Sequence, residues 1–259
     1  MLLDIDNFIL LCFGFFVVAT LYSSVGFGGG SSYLALLALF LTEFYTIRSI
    51  ALLCNLVVVS GSCFLYYKKG LFEIKKFLPF VLTSIPLSFL GASFRLKEHV
   101  FFVILGITLI VSSVALVVQT LKKRGQSEPY KEYPVFVNYL LGGAIGFLAG
   151  LVGIGGGIFL APVLNHLRWE KSLTIAALTS FFILVNSISG LAGLVVNDTF
   201  QVPVLYALGL MFVVLLGGQL GARITLRKLS GNGIKRLTAL LVFSVGIRVL
   251  LVNGFQINF

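Results

Sequence analysis

The sequence predicts an all-α integral membrane protein of two inverted repeats, each a glycine-broken helical hairpin followed by three transmembrane helices. Three observations predict this fold. The 259-residue chain is 58% hydrophobic and 11% charged, too little polar surface to coat a water-soluble globule. Its apolar runs are long enough to cross a bilayer. The pattern Val-Gly-x-Gly-Gly-Gly occurs twice, at residues 25–30 (the first hexad) and 152–157 (the second hexad), 127 positions apart.

Six apolar runs have the length of a transmembrane helix, about 17–25 residues, and indicate helices rather than a β-barrel. They cover residues 47–67, 77–94, 100–121, 173–196, 202–220 and 234–252. Two shorter runs, 31–41 and 158–167, each follow a hexad. As helices they extend roughly 15–17 Å, well short of a hydrocarbon core of roughly 30 Å.

The short runs decide the predicted topology. If each formed one broken span with the run before its hexad, the halves would face the same way, and the most basic connection, 223–236, would lie opposite the other basic loops. If each instead turns back as a hairpin, the halves are inverted, and all four basic connections share one side: 68–76, 122–132, 168–171 and 223–236. Because basic loops stay cytoplasmic, we expect the inverted arrangement, with both termini outside.

Matched dipeptides in the two halves support an internal duplication. Ser60-Gly61 corresponds to Ser189-Gly190, and Gly91-Ala92 corresponds to Gly221-Ala222. Between the halves lies a charged segment with Gly and Pro, which is typical of an exposed linker. We therefore expect a first membrane repeat at 1–121, a cytoplasmic linker at 122–134 and a second membrane repeat at 135–259.

The hexads are the candidate binding site. Dense glycine interrupts a helix, and the helices that restart after each break would offer unpaired N–H groups to an anion near the midplane. The candidate residues are Gly26, Gly28, Gly29 and Gly30 with Gly153, Gly155, Gly156 and Gly157. The alternative is close helix packing, as we expect for Gly142, Gly146, Gly150, Gly217 and Gly221. Packing alone is not expected to require Gly28, Gly29, Gly155 or Gly156.

Polar residues within the apolar runs are the further candidates for substrate binding, since burial of unpaired polar groups is costly. They are Ser31, Ser32, Asn55, Asn186, Gln219 and Arg48. For each, a contact between helices or a bond to its own helix is the alternative. For Arg48 the alternative is a side chain that reaches out to the membrane interface.

Composition also excludes several functions. All nine acids lie in loops or terminal segments, so a carboxylate proton relay has no member within the membrane. Both histidines lie in connections, which leaves no buried base for an enzyme. We expect no metal and no cofactor. The net charge of +10 is spread over short clusters between apolar runs, which favours the lipid bilayer over nucleic acid as the partner.

The segments "GFGGGSSYLALL" and "GIGGGIFLAPVL" resemble the pattern of the sulfite exporter TauE/SafE family. The resemblance covers nearly the whole chain. It implies a permease of the prokaryotic plasma membrane that moves sulfur-containing anions such as sulfite, thiosulfate, sulfoacetate or related organosulfonates. Family members carry a proline in the short run after each hexad; Pro162 fits, whereas Ala35 takes that place in the first half. An anion channel of the same fold is the alternative function.

Overall fold

The structure, a computed structural model, describes residues 4–24, 26–41, 43–94, 96–121, 130–226 and 231–255. Within these residues the secondary structure is helical throughout. The helices are α1 Ile5–Ser23, α2 Gly30–Leu37, α3 Phe44–Lys68, α4 Ile74–Ser93, α5 Glu98–Leu121, α6 Val135–Val152, α7 Gly157–Leu167, α8 Ser172–Val196, α9 Val204–Leu226 and α10 Gly231–Arg248. Seven of the described helices are long and apolar enough to span a membrane, so the chain is a multi-pass membrane protein.

Each of the six predicted spans corresponds to one helix, from α3 to α5 and from α8 to α10. The last run continues past α10 as a π-helix, Val249–Gly254. Of the predicted linker, residues 122–129 lie outside the described part of the chain. The all-helical membrane fold that composition and run length predict is therefore confirmed.

Each short helix turns back along the helix before it. The ring of Tyr33 on α2 stacks on Phe15 of α1, with centroids 4.6 Å apart. In the second half, the hydroxyl of Tyr133, just before α6, donates to the carbonyl of Leu167 at the end of α7 over 2.9 Å. These contacts confirm the hairpins. The first return helix is the shorter, with 8 residues against 11 in α7, and ends at Leu37 rather than at residue 41.

The two halves make equivalent contacts on each other. Helix α4 packs on α6, and α9 packs on α1. A methyl group at Gly91 would overlap the carbonyl oxygen of Phe147, and one at Gly221 would overlap that of Thr20. Phe147 follows Thr20 by 127 residues, the spacing of the hexads. These contacts are those expected of a duplication, while the inverted orientation of the halves in the bilayer stays a prediction.

Small residues let these helix pairs approach closely. On α6, Gly142, Gly146 and Gly150 lie against the backbone of α4, where a methyl group at any of them would overlap backbone atoms. Gly217 lies against α1 in the same way as Gly221. The packing role predicted for these five glycines is confirmed.

The connections are sorted between two ends of the bundle. At one end, Lys76 pairs with Glu170 over 2.7 Å, which joins the start of α4 to the α7–α8 connection. At the other end, the amide of Gln201 donates to the hydroxyl of Ser49 over 3.3 Å, which joins the α8–α9 connection to the start of α3. Each of these two contacts joins segments that the predicted grouping places on one side, and the grouping itself stays a prediction. Within the basic connection 223–236, residues 227–230 lie outside the described ranges.

Candidate functional site

Both hexads interrupt a helix, as predicted. Helix α1 ends at Ser23 and α2 begins at Gly30, whereas α6 ends at Val152 and α7 begins at Gly157. The intervening backbone enters the left-handed region, which favours glycine because it has no Cβ. The glycines with positive φ are Gly26 (87°), Gly29 (95°), Gly153 (74°), Gly155 (72°) and Gly156 (84°).

The two restarting helices present N–H groups at the breaks. The amide of Tyr33 donates to the carbonyl of Gly29 over 3.0 Å, and that of Leu160 donates to Gly156 over 3.1 Å. In α7 the amide of Phe159 also donates to Gly156, over 3.1 Å. The first-turn amides before Tyr33 in α2 and before Phe159 in α7 have no carbonyl within their own helix to bond. They carry the partial positive charge of the helix dipole, so each break has the electrostatics of an anion site.

Asn55, in the middle of α3, lies where the two hexads meet. Its side chain is fully buried, and its amide nitrogen donates to the carbonyl of Ile154 in the second hexad over 3.1 Å. A methyl group at Gly28 would overlap the Asn55 amide oxygen, one at Gly30 would lie 3.0 Å from the amide nitrogen, and one at Gly155 would lie 2.7 Å from it. One polar side chain therefore contacts both breaks.

The same distances correct one expectation. Gly28 has no room for a side chain beside Asn55, and Gly155 has none beside Ile183. At Gly29 and Gly156 a positive φ adds to close contacts with aromatic rings. The prediction that packing does not require Gly28, Gly29, Gly155 and Gly156 is therefore wrong. An anion role for the hexads depends on their exposed amides and on Asn55, rather than on glycine content alone.

Arg48 lies against the second hexad and does not reach the interface. Its side chain is only 2% exposed. One guanidinium nitrogen, Nη2, donates to the carbonyl of Gly150 near the end of α6, and a methyl group at Gly153 would lie 2.9 Å from Cγ and 3.0 Å from Nε. The alternative interpretation, an arginine that extends to the membrane surface, does not describe this side chain.

Hydroxyl groups surround the first hexad. The Tyr22 hydroxyl shares a 2.6 Å hydrogen bond with Ser32 and lies 3.5 Å from the hydroxyl of Ser31. All three residues are buried. Sequence reasoning found the two serines but missed Tyr22, because one tyrosine in an apolar run is no signal by itself. In the second half the equivalent positions are apolar: Ala149, Ile158 and Phe159.

The remaining candidates lie farther from the junction of the hexads. Asn186 is buried on α8, and its amide nitrogen donates to the carbonyl of Phe182 in the same helix over 2.8 Å. Its neighbour Ser187, which sequence reasoning missed, accepts a 3.4 Å hydrogen bond from Asn55. Gln219 is half-buried and lies against Gly61, about 9 Å along α3 from Asn55. The structure thus brings Arg48, Asn55, Ser31 and Ser32 to the hexads, but not Gln219.

Comparison with known proteins identifies the family. The family model described as "Sulfite exporter TauE/SafE" matches residues 10–249. This chain belongs to the TauE/SafE family. It is 32% identical over 241 residues to the probable membrane transporter protein y4hK of Sinorhizobium fredii, covering 93% of this chain and 97% of that one. It is 25% identical to the probable membrane transporter protein YunE of Bacillus subtilis, covering 94% and 97%. No solved structure matches.

Membership of TauE/SafE places the chain among membrane transporters. The resemblance carried by the two hexad segments is confirmed. The departure from the family pattern at Ala35 does not prevent hairpin formation, because α2 turns back along α1 as α7 does along α6. A proline at this position is therefore not needed for the return of this TauE/SafE hairpin.

Proposed function

We propose that this TauE/SafE transporter carries small sulfur-containing anions, of the class of sulfite, thiosulfate, sulfoacetate and related organosulfonates, and binds them where the two hexads meet. The observation that carries the proposal is that the N-termini of α2 and α7 both adjoin Asn55. The family is described as sulfite exporters, and a helix N-terminus is a ready site for an oxyanion.

The chemistry of the junction fits an anion with several oxygens. Two sets of first-turn amides act with two helix dipoles of the same sign, so their fields add at the place between them. No described carboxylate is buried, because the described acids lie in the terminal segment, in the connections or in the first turn of a helix. The buried hydroxyls of Thr179 and Ser180, which have no partner among the described residues, are further donors on α8.

The depth of Asn55 fits a transport site. At 1.5 Å per residue, it lies about 16 Å from the start of α3 at Phe44 and about 20 Å from its end at Lys68. In the proposed inverted orientation, with both termini outside, the site falls near the midplane and is shared by the two repeats. Broken helices that bind substrate at this depth are typical of transporters with alternating access.

Close packing around the hexads supports a carrier over an anion channel. A methyl group would collide with Ala176 at Gly26, with Asn55 at Gly28 and with Arg48 at Gly153. A pore that stays open would need free space at these positions. A carrier predicts that substrate on the far side of the membrane accelerates flux, whereas unitary currents without such acceleration would indicate the channel.

The test is transport by purified protein in proteoliposomes, with sulfite, thiosulfate, sulfate and sulfonates as substrates. Asn55→Asp places a carboxylate of the same size between the two helix N-termini, where it would compete with the substrate. We expect uptake to fall by about tenfold or more, which corresponds to one charge-assisted contact.

Asn138→Asp is the matched control, since Asn138 is also buried but lies in the first turn of α6. That position is about 22 Å along the helix from the second hexad. Equal uptake by wild type and Asn55→Asp, with both proteins folded, would remove the anion site from the hexads.

A further inference from the structure

We infer that Arg48 is the charge partner of the bound anion and limits this site to substrates that carry a single negative charge, such as hydrogensulfite and monosulfonates. The inference rests on the proposed function and narrows it. It makes sulfate, thiosulfate and sulfoacetate, each with two charges, poorer substrates.

Among the residues whose side chains the structure describes, Arg48 is the only charged one that is buried. The salt bridges found among those residues all involve Lys76, at the end of the bundle. Arg48 has one bond to a carbonyl, and its Nε has no partner among the described residues. An uncompensated guanidinium within a membrane protein is costly and typically marks an ion or substrate pathway.

The guanidinium adjoins the second hexad. Arg48 and Asn55 are seven residues apart on α3, two helical turns, and so share one face of the helix. Both contact the second hexad, Arg48 at Gly153 and Asn55 at Gly155. The free Nε–H therefore adjoins the glycine loop that leads into α7, the helix whose first-turn amides are offered to the anion. A planar guanidinium can bind two oxygens of one –SO₃⁻ group at once.

The pseudo-symmetric position carries no charge. Gly26 of the first hexad meets Ala176 of α8, as Gly153 of the second hexad meets Arg48 of α3. The spacings from Gly26 to Gly153 and from Arg48 to Ala176 are 127 and 128 residues. A site built from two similar halves thus holds one fixed charge rather than two. One negative charge neutralises it, whereas a dianion would leave one charge uncompensated in a poorly solvated interior.

The experiment compares uptake of radiolabelled methanesulfonate and sulfate into proteoliposomes at neutral pH. The two ions are tetrahedral and similar in size but carry one and two charges. We expect wild type to prefer methanesulfonate by about tenfold or more. Arg48→Gln should lower methanesulfonate uptake by roughly tenfold to a hundredfold, the range of a charged hydrogen bond, and should abolish the preference. Arg48→Lys keeps the charge and should keep the preference at a lower rate.

Arg248→Gln is the matched control, because Arg248 is an exposed arginine in the last helix and its loss should change neither uptake. A preference of wild type for sulfate overturns the inference, as does an Arg48→Gln protein with an unchanged ratio of the two uptakes. An unchanged ratio at lower rates would mean that Arg48 only holds α3 against α6. If Arg48→Gln fails to insert, the ratio of methanesulfonate uptake to sulfate uptake is compared between wild type and Arg48→Lys. A preference for sulfate in either protein then overturns the inference.

Failure of this inference is distinguishable from failure of the proposed function. If Asn55→Asp abolishes transport while Arg48→Gln retains wild-type uptake and preference, the hexad site stands and Arg48 has no part in charge selection. If Asn55→Asp transports normally, the hexad site itself is refuted.

Discussion

The two hexads have similar backbones but different neighbours. In both, a helix ends, the chain passes through positive φ, and a short helix turns back. The first break is lined by hydroxyls of its own half, Tyr22, Ser31 and Ser32. The second break is lined by polar side chains of the other half, Arg48 and Asn55 on α3, of which only Asn55 also contacts the first break. The duplication has therefore kept the backbone arrangement, while the side chains around it have diverged.

This difference separates two contributions to the proposed site. The backbone amides, present twice, would supply general affinity for anions. The side chains, present once, would supply selectivity, with Arg48 on one hexad and hydroxyls on the other. Substitutions at equivalent positions in the two halves should consequently have unequal effects.

Gly155→Ala should break the second hexad most severely. The residue has φ of 72°, and a methyl group would lie 2.6 Å from Ile183 and 2.7 Å from Asn55. We expect a loss of about 2–5 kcal/mol from overpacking and backbone strain together, with no measurable uptake. Gly70→Ala is the control for strain alone, since Gly70 has φ of 66° and no atoms within 4 Å of the added methyl. Its transport should persist in the same proteoliposome assay.

Gly28→Ala tests the first hexad, where φ is not positive and the collision is with the Asn55 amide. We expect a loss of about 1–3 kcal/mol from overpacking. Asn55→Ala in the same protein should recover much of that stability but not transport, because it removes the obstacle along with the proposed binding group. Thermal unfolding of the two single variants and the double variant measures the coupling. Additive losses would show that the collision is relieved elsewhere.

Tyr22→Phe removes the hydroxyl that serves the serines of the first hexad. We expect a loss of about 1 kcal/mol, as for one buried hydrogen bond, and a reduced uptake, because Ser31 and Ser32 lose their orienting partner. The second half has Ala149 at this position and lacks such a bond. Tyr67→Phe, on an exposed tyrosine, should leave thermal stability unchanged. A Tyr22→Phe protein as stable as wild type would contradict the assignment.

Glu170→Gln should have the smallest effect. Burial opposes ionisation of Glu170, but hydrogen bonds from Lys76 and from the Lys171 amide outweigh it and lower the pKa of the carboxyl. The carboxylate therefore stabilises the folded protein at neutral pH, and this contribution is lost as pH falls through the lowered pKa. We expect less than about 1 kcal/mol at neutral pH, since the pair is partly exposed. The melting temperatures of wild type and variant should converge in acid, and a gap that widens there would refute this.

Much of the fold follows from local sequence. The apolar runs are longer than a soluble helix needs, and each became one helix. Four glycines within six residues strongly disfavour a helix, so both breaks were predictable from residues 25–30 and 152–157 alone. The length of α2 was less predictable from the sequence. This helix ends at Leu37, although the apolar run continues to residue 41.

The side chains at the site were harder to predict because their roles depend on contacts between distant segments. Arg48 begins a span and by itself resembles an interfacial arginine, yet close approach of Gly150 and Gly153 encloses it. Asn55 and Asn186 look equivalent in sequence, but Asn55 reaches the opposite hexad while Asn186 bonds its own helix. Such differences arise from packing across the halves, which no local pattern records.

Each glycine loop rests on a helix from the other half, Gly26 on Ala176 and Gly153 on Arg48. This reciprocal contact bears on biogenesis. When the ribosome has delivered only the first five helices, the surface that covers the first loop has not been made. In the first half alone, the glycine loop is therefore incompletely enclosed. The second loop, in contrast, meets α3 as soon as it is made, whereas the first loop is covered only when α8 arrives.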